Sequence, residues 1–178
     1  MQRFESVDWG ELTWKQTGLG ARHFELRAGE ELVGVMYWPR LLSQRAVAGC
    51  AVGKWHIERV GLLRQRTVVS EADSGREVAS FEPGWLGDGD LTLADGQVLR
   101  WRCTDCLSHA WALTGERGQA VLEVKTWLHW FKYRADVVLH AALDSRPDLP
   151  LLIFVTWYLG FMHIQDVAAV VATTAACT

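Results

Sequence analysis

The sequence predicts a mainly β fold, an antiparallel barrel of about twelve strands enclosing one hydrophobic C-terminal α-helix. Three observations carry this. From about Asp8 to Leu143 the chain is a series of short segments of alternating polarity, separated by turn residues at roughly 10-residue spacing. Residues 149–178 read LPLLIFVTWYLGFMHIQDVAAVVATTAACT, and Asp166 is the only charged side chain among them. Ten tryptophans in 178 residues supply rings large enough to close a wide β interior.

The strands are legible in order. A first strand is expected near Asp8–Gln16. Phe24 and Leu26 then alternate with His23, Glu25 and Arg27, the period of a half-buried strand. Gly29-Glu30 turns the chain into Leu32–Trp38, and Pro39 to Gln44 connects this to Arg45–Ala51. Trp55 and Ile57 alternate with Lys54, His56 and Glu58. Gly61 breaks, and Arg64–Ser70 resumes. Asp73-Ser74-Gly75 is a hairpin turn into Arg76–Glu82, which Pro83-Gly84 ends. Asp95-Gly96 is the sharpest hairpin signal. A two-residue loop would set Leu91 opposite Arg100. A three-residue loop, Ala94-Asp95-Gly96 with Gly96 in the left-handed region, sets Leu91 opposite Leu99. A slip of one residue exchanges the buried and exposed faces, so the three-residue loop is predicted. Strands near His109–Thr114 and Gln119–Thr126 follow, joined by Gly115-Glu116-Arg117-Gly118. Trp127–Arg134 reads as a connector, and the last strand as about Ala135–Leu143.

The tail reads as a helix over Leu149 to about Val170. Asp148 is a candidate N-cap, and Pro150 falls in the first turn, where its missing N–H costs little. Apolar residues surround this helix rather than forming a stripe, which places it in a bilayer or deep in a protein core. Its length is close to the roughly 20 residues of a membrane span, so hydropathy alone does not choose. The strands do: a twelve-stranded barrel is too wide for its own side chains to fill, and this helix is the plug at hand. The whole chain, 1–178, then forms a single domain, with strands over about 8–143 and the central helix over about 149–170.

Composition bounds the function. The chain is 49% hydrophobic and 22% charged, with a formal charge of −3, which argues against a nucleic-acid binder acting through overall charge. The N-terminus has no apolar run, and four cysteines do not make a disulfide framework. The expectation is a cytoplasmic protein with reduced thiols.

The ordered series Gly53-Lys54-Trp55-His56-Ile57-Glu58-Arg59, Val78-Ala79-Ser80-Phe81, the hairpin Leu91…Asp95-Gly96…Leu99-x-Trp101, and Leu149–Leu159 resembles the tubby C-terminal fold. That barrel is shared by phospholipid scramblases and plant LURP-one-related proteins. The chain looks most like a compact, bacterial-type member, without the long N-terminal regions of animal relatives or the scramblases' proline-rich segment. The resemblance implies a non-enzymatic binding module without a cofactor, peripheral at a membrane, with anionic phospholipid as ligand in some members. No tubby lipid-binding residue can be carried over singly. The tubby site is basic residues on one side of the barrel. Here Arg40, Arg45, Lys54, Arg59, Arg64 and Arg66 lie within residues 39–66, where Glu58 is the only acid. Residues 71–96 are the reverse, acidic with only Arg76 opposing. A basic face for anionic headgroups and a solvated face neutralised by acidic neighbours both fit this pattern. The protein partner, if there is one, is not legible.

Two other function classes stay open. The tail could anchor a small membrane protein. Cys103-Thr104-Asp105-Cys106 with His109 forms a lone CxxC, a weak metal or redox candidate that lacks a fourth zinc ligand unless Cys50 or another His supplies it. A hairpin with incidental thiols is the simpler reading. Asp88-Gly89-Asp90 reads as a turn, since the rest of a calcium loop is missing. His163 and Asp166, three apart on one helix face, read as a buried polar pair bonded to barrel backbone. Trp127, Trp130, Phe131, Lys132, Tyr133 and Arg134 read as a covering loop over one mouth, or as an interfacial patch. No catalytic triad and no phosphate-binding glycine loop is present.

Overall fold

A computed structural model describes residues 12–18, 22–40, 43–61, 65–84, 87–105, 109–129, 132–140 and 146–176. The strands are β1 (Leu12–Gln16), β2 (His23–Ala28), β3 (Glu31–Tyr37), β4 (Ala46–Cys50), β5 (Gly53–Val60), β6 (Arg66–Glu71), β7 (Glu77–Pro83), β8 (Gly89–Leu93), β9 (Val98–Asp105), β10 (Ala110–Thr114), β11 (Ala120–His129) and β12 (Lys132–Leu139). One helix, α1 (Leu149–Ala176), follows. Each strand pairs antiparallel with its chain neighbours, and β12 closes on β1 through Leu12 opposite Val137 and Trp14 opposite Ala135. The result is a closed twelve-stranded barrel around a C-terminal helix, as the sequence predicts.

Alternation decides which side chains face inward. Leu12 and Trp14, Phe24 and Leu26, Trp55 and Ile57, Leu91 and Leu93, Leu99 and Trp101, and Leu122 and Val124 are all buried, and the residues between them are less so. The register predicted at Asp95-Gly96 is the one observed: Leu91 lies opposite Leu99, and Gly96 has φ +85°. That positive φ is what a three-residue loop demands, and glycine meets it without steric cost.

The core is the helix. Residues 149–162 are all buried, a length of about 21 Å at 1.5 Å per residue. Trp157 stacks on Trp14 at 5.6 Å between ring centroids and takes the edge of Phe24 at 5.0 Å. Tyr158 stacks on Trp38 at 5.9 Å, and Trp101 stacks on Trp111 at 6.1 Å. The indole N–H groups of Trp14, Trp38 and Trp157 are buried without a hydrogen-bond partner among the described residues. Each such orphan costs about 1–3 kcal/mol. Burying an indole of about 200 Å² at about 25 cal/mol per Å² returns about 5 kcal/mol, so ring burial wins. Thr156, the polar residue deepest in the helix, donates its hydroxyl to the carbonyls of Leu152 (2.8 Å) and Ile153 (3.0 Å), and so needs nothing from the wall. At the start of α1, the Asp148 carbonyl accepts from Leu152 N, as an N-cap residue's should, while its carboxylate is held by Arg146 at 2.5 Å.

Two expectations are corrected. Trp127–Arg134 is not a connector: β11 and β12 run through it, with Trp127 opposite Arg134 and His129 opposite Lys132. Buried Thr126 is followed by exposed Trp127, and Lys132, Tyr133 and Arg134 are half-buried. They form a ladder, not a covering loop, and Trp130 and Phe131 lie outside the described residues. The helix also does not end near Val170 but runs to Ala176, because the alanines and valines there contain no breaker.

Two glycines test how tightly helix and wall fit. A Cβ on Gly34 would stand 2.7 Å from the ring tip of Phe154, which is wedged between Trp14 and Trp55 and cannot yield. Gly34→Ala is expected to lower unfolding free energy by about 1–3 kcal/mol. A Cβ on Gly160 would meet Trp111 at an ordinary 3.6 Å. Gly160→Ala is expected to raise stability by about 0.5–1 kcal/mol through helix propensity alone. Urea denaturation followed by tryptophan fluorescence measures both.

Candidate functional site

The two ends of the barrel differ. Antiparallel order brings the starts of β2, β4 and β6 together with the ends of β3, β5 and β7. At this end α1 leaves the wall. His163, Ile164 and Gln165 are half-buried and residues 166–170 are exposed. The helix enters at the opposite end, where the hairpin at Gly96 lies and Arg146 also reaches the Gln97 side chain.

A polar collar closes the exit end around the helix. Tyr158 donates its hydroxyl to the Gln44 carbonyl at 2.5 Å, and burial pushes its phenol far above the ordinary range despite Arg59 and Arg22 nearby. Arg22 stacks over Trp38 at 4.8 Å and Phe161 at 5.5 Å and donates to the Ser43 carbonyl at 3.0 Å. Its own burial lowers its pKa, and the aromatic faces offset part of that desolvation. Tyr133 N donates to the Gln16 side-chain oxygen at 2.9 Å. None of these contacts is visible in the sequence, because each joins residues far apart in the chain.

Beside the collar, a cavity of about 140 Å³ opens between α1, the end of β5, the start of β6 and the end of β7. Arg59, Gln65, Arg66, Thr67, His163 and Asp166 line its polar side. Arg59 continues the inward parity of Trp55 and Ile57, so it reaches the cavity from inside the wall, with its side chain only 16% exposed. Its guanidinium meets the Asp166 carboxylate at 2.7 Å. The expected buried His163–Asp166 pair is therefore corrected. Asp166 is 54% exposed and pairs with Arg59, because α1 has left the barrel by that turn. His163 stays half-buried, its ring edge-on to Trp111 at 5.6 Å and close against Gly87. Burial lowers its pKa, and Asp166 opposes that while His109 and Arg59 add to it.

The six basic residues singled out in the sequence divide. Arg40, Arg45, Arg59 and Arg66 gather at the exit end. Lys54 sits at the start of β5, at the far end of the barrel, and Arg64 lies outside the described residues. Acidic neighbours attend them, as one of the two sequence readings has it: Arg45 lies 3.9 Å from Glu58 and Arg66 lies 3.5 Å from Glu77.

The CxxC candidate does not assemble among the described residues. Cys103 lies in β9 opposite Trp111, and Cys106 lies outside the described residues. His109 adopts φ +48°, accepts from Thr126 through its carbonyl, and stacks on Trp111. Cys50 is buried, and burial pushes its thiol pKa up. No group of three or more His, Cys, Asp or Glu among the described residues is placed to hold a metal ion. Asp88-Gly89-Asp90 is the entry to β8 rather than the expected turn: Gly89 and Asp90 already pair with Pro83 and Glu82, and the Asp88 carbonyl accepts from Gly84 N.

The chain matches no protein-family model, no curated protein sequence and no solved structure.

His163 and His56 both have pKa values lowered from 6.5, chiefly by burial. The unfolded chain therefore takes up these protons first as pH falls. Stability contributed by the neutral rings is full above about pH 6.5 and declines below it. Chemical denaturation at a series of pH values is expected to show this decline, and His163→Gln to flatten it.

Proposed function

We propose that the chain is a non-catalytic, tubby-like binding module that docks at a membrane surface through the exit end of its barrel, its arginines meeting the phosphates of anionic lipids. The observation that carries this reading is a convergence. Arg40, Arg45, Arg59 and Arg66 gather around the same mouth from which an apolar helix end emerges, with Val167 46% and Val170 64% exposed. Peripheral membrane binding that holds uses two signals together, basic charge and apolar insertion. Basic residues near an anionic surface each contribute about 1 kcal/mol.

The ion pairs of Arg45 and Arg66 do not stand in the way. Arg45–Glu58 and Arg66–Glu77 are long, and their side chains are between 40% and 49% exposed. Such pairs contribute about 0–1 kcal/mol and exchange readily for a phosphate. Lys54, at the other end, has no part in this geometry.

A bilayer-spanning anchor is the weaker reading. Leu149–Val170 is long and apolar enough to cross, but 67% of its most apolar window is buried in the barrel, and inserting it would empty the core.

Co-sedimentation with phosphatidylcholine vesicles, with and without phosphatidylserine, at low and high salt, tests the proposal. Binding is expected only with phosphatidylserine and is expected to fall in high salt. Arg40→Glu with Arg45→Glu is expected to weaken it at least about tenfold. Salt-resistant binding to both vesicle types would instead mean that the helix inserts, and binding to neither would remove the membrane reading.

A further inference from the structure

We propose that Asp166 is a built-in competitor for the phosphate group this site receives: it occupies Arg59 in the unliganded protein, and a bound phosphate displaces it and releases the end of α1 from the wall. This rests on the anion-binding reading of the exit end and specifies how that site is regulated.

The placement of Asp166 is what calls for an explanation. It is the only charged residue on α1, and it lies ten residues before the helix end, too far from either terminus for the helix dipole to favour it. Helix stability does not account for it; Arg59 does. That guanidinium is mostly screened from solvent and points into the cavity, so it needs an anion there. Asp166 supplies one from an exposed position, with one oxygen at 2.7 Å.

The cavity is built for something larger than one carboxylate oxygen. Its volume of about 140 Å³ is that of about five waters at about 30 Å³ each, room for the five heavy atoms of a phosphate group. Gln65 and the buried Thr67 (2% exposed) line the same space, while Arg66, which also borders it, turns its guanidinium toward Glu77 at 3.5 Å. A phosphate can engage Arg59 through two oxygens and reach these further donors at once. A single carboxylate fixed to the helix cannot.

Exchange of one anion for the other has a mechanical consequence. The Arg59–Asp166 pair ties the helix to the wall where α1 leaves the barrel. Its loss loosens the helix around Asp166 while residues 149–162 stay packed. By linkage, anything that holds the helix end away from the wall raises affinity for phosphate by the same factor. The ligand is defined by its phosphate, whether on a lipid headgroup or on a soluble molecule.

The test uses the full chain and two probes: inorganic phosphate by isothermal titration, and phosphatidylcholine vesicles containing phosphatidic acid by co-sedimentation. Asp166→Asn changes an exposed residue and is expected to bind phosphate about tenfold more tightly than wild type. Asp90→Asn removes one negative charge from the same end and is expected to shift affinity less than about twofold. In wild type, phosphate is expected to speed amide hydrogen exchange over residues 163–170; in Asp166→Asn that exchange is fast from the start. Arg59→Lys, which keeps the charge and loses the fork, is expected to weaken phosphate binding in both backgrounds. Tighter phosphate binding by Asp166→Asn without vesicle binding would keep the competitor and remove the membrane reading, pointing to a soluble phosphate compound. Vesicle binding that Asp166→Asn leaves unchanged would overturn the competitor and leave the membrane reading standing. No phosphate binding by any variant, or an equal gain in Asp90→Asn, would also overturn it.

Discussion

A sheet of twelve strands closed on itself encloses more space than its inward side chains can fill, and the rest of this structure follows from that. The space is filled by a helix from the same chain. Such a helix meets wall on every side, so it must be apolar on every side, which is why residues 149–162 carry no stripe and no charge. The wall answers with large rings where there is room and with Gly34 where Phe154 comes closest. The few polar groups that enter satisfy themselves locally, as Thr156 does through its own helix, or reach the rim, as Tyr158 does at Gln44.

The same constraint makes the two ends unequal. At 28 residues α1 is about 42 Å long, and residues 149–162, about 21 Å of it, are buried. Beyond residue 162 the helix emerges at one mouth, and its surroundings change within about a turn. Phe161 and Met162 are buried, His163 is half-buried and Asp166 is exposed. Arginines on the rim meet this transition, Arg22 through aromatic faces and Arg59 through Asp166. Arg22 and Arg59 sit there because that is where an inward-pointing cation can exist without being stranded in the core.

Legibility tracked the range of the interactions. The hairpin at Asp95-Gly96 could be placed to the residue because its register is set by a loop of three and by the burial of Leu91 and Leu99. Trp127–Arg134 was misread because bulky basic and aromatic side chains resemble a surface loop, while the pairing of Trp127 with Arg134 is a property of two strands together. The site was half legible. The run of arginines between 39 and 66 stood out, but strand direction separates Lys54 from Arg59, though they are five residues apart. His163 and Asp166 were picked out by their spacing on one helix face. Their environments were not, since the spacing says nothing of where the helix clears the barrel.

Local pattern in the chain carries the strand succession, the inward faces, the tightest hairpin and the presence of one helix suited only to an apolar enclosure. Periodicity and turn chemistry act over a few residues, and a chain carries them wherever it goes. Burial over residues 149–162, exposure over residues 166–170, and the cavity bordered by Arg59 and Asp166 arise only from the assembled barrel. That depends on how far the barrel reaches along the helix and which strand ends meet at its rim, quantities that exist only once the twelfth strand has closed on the first.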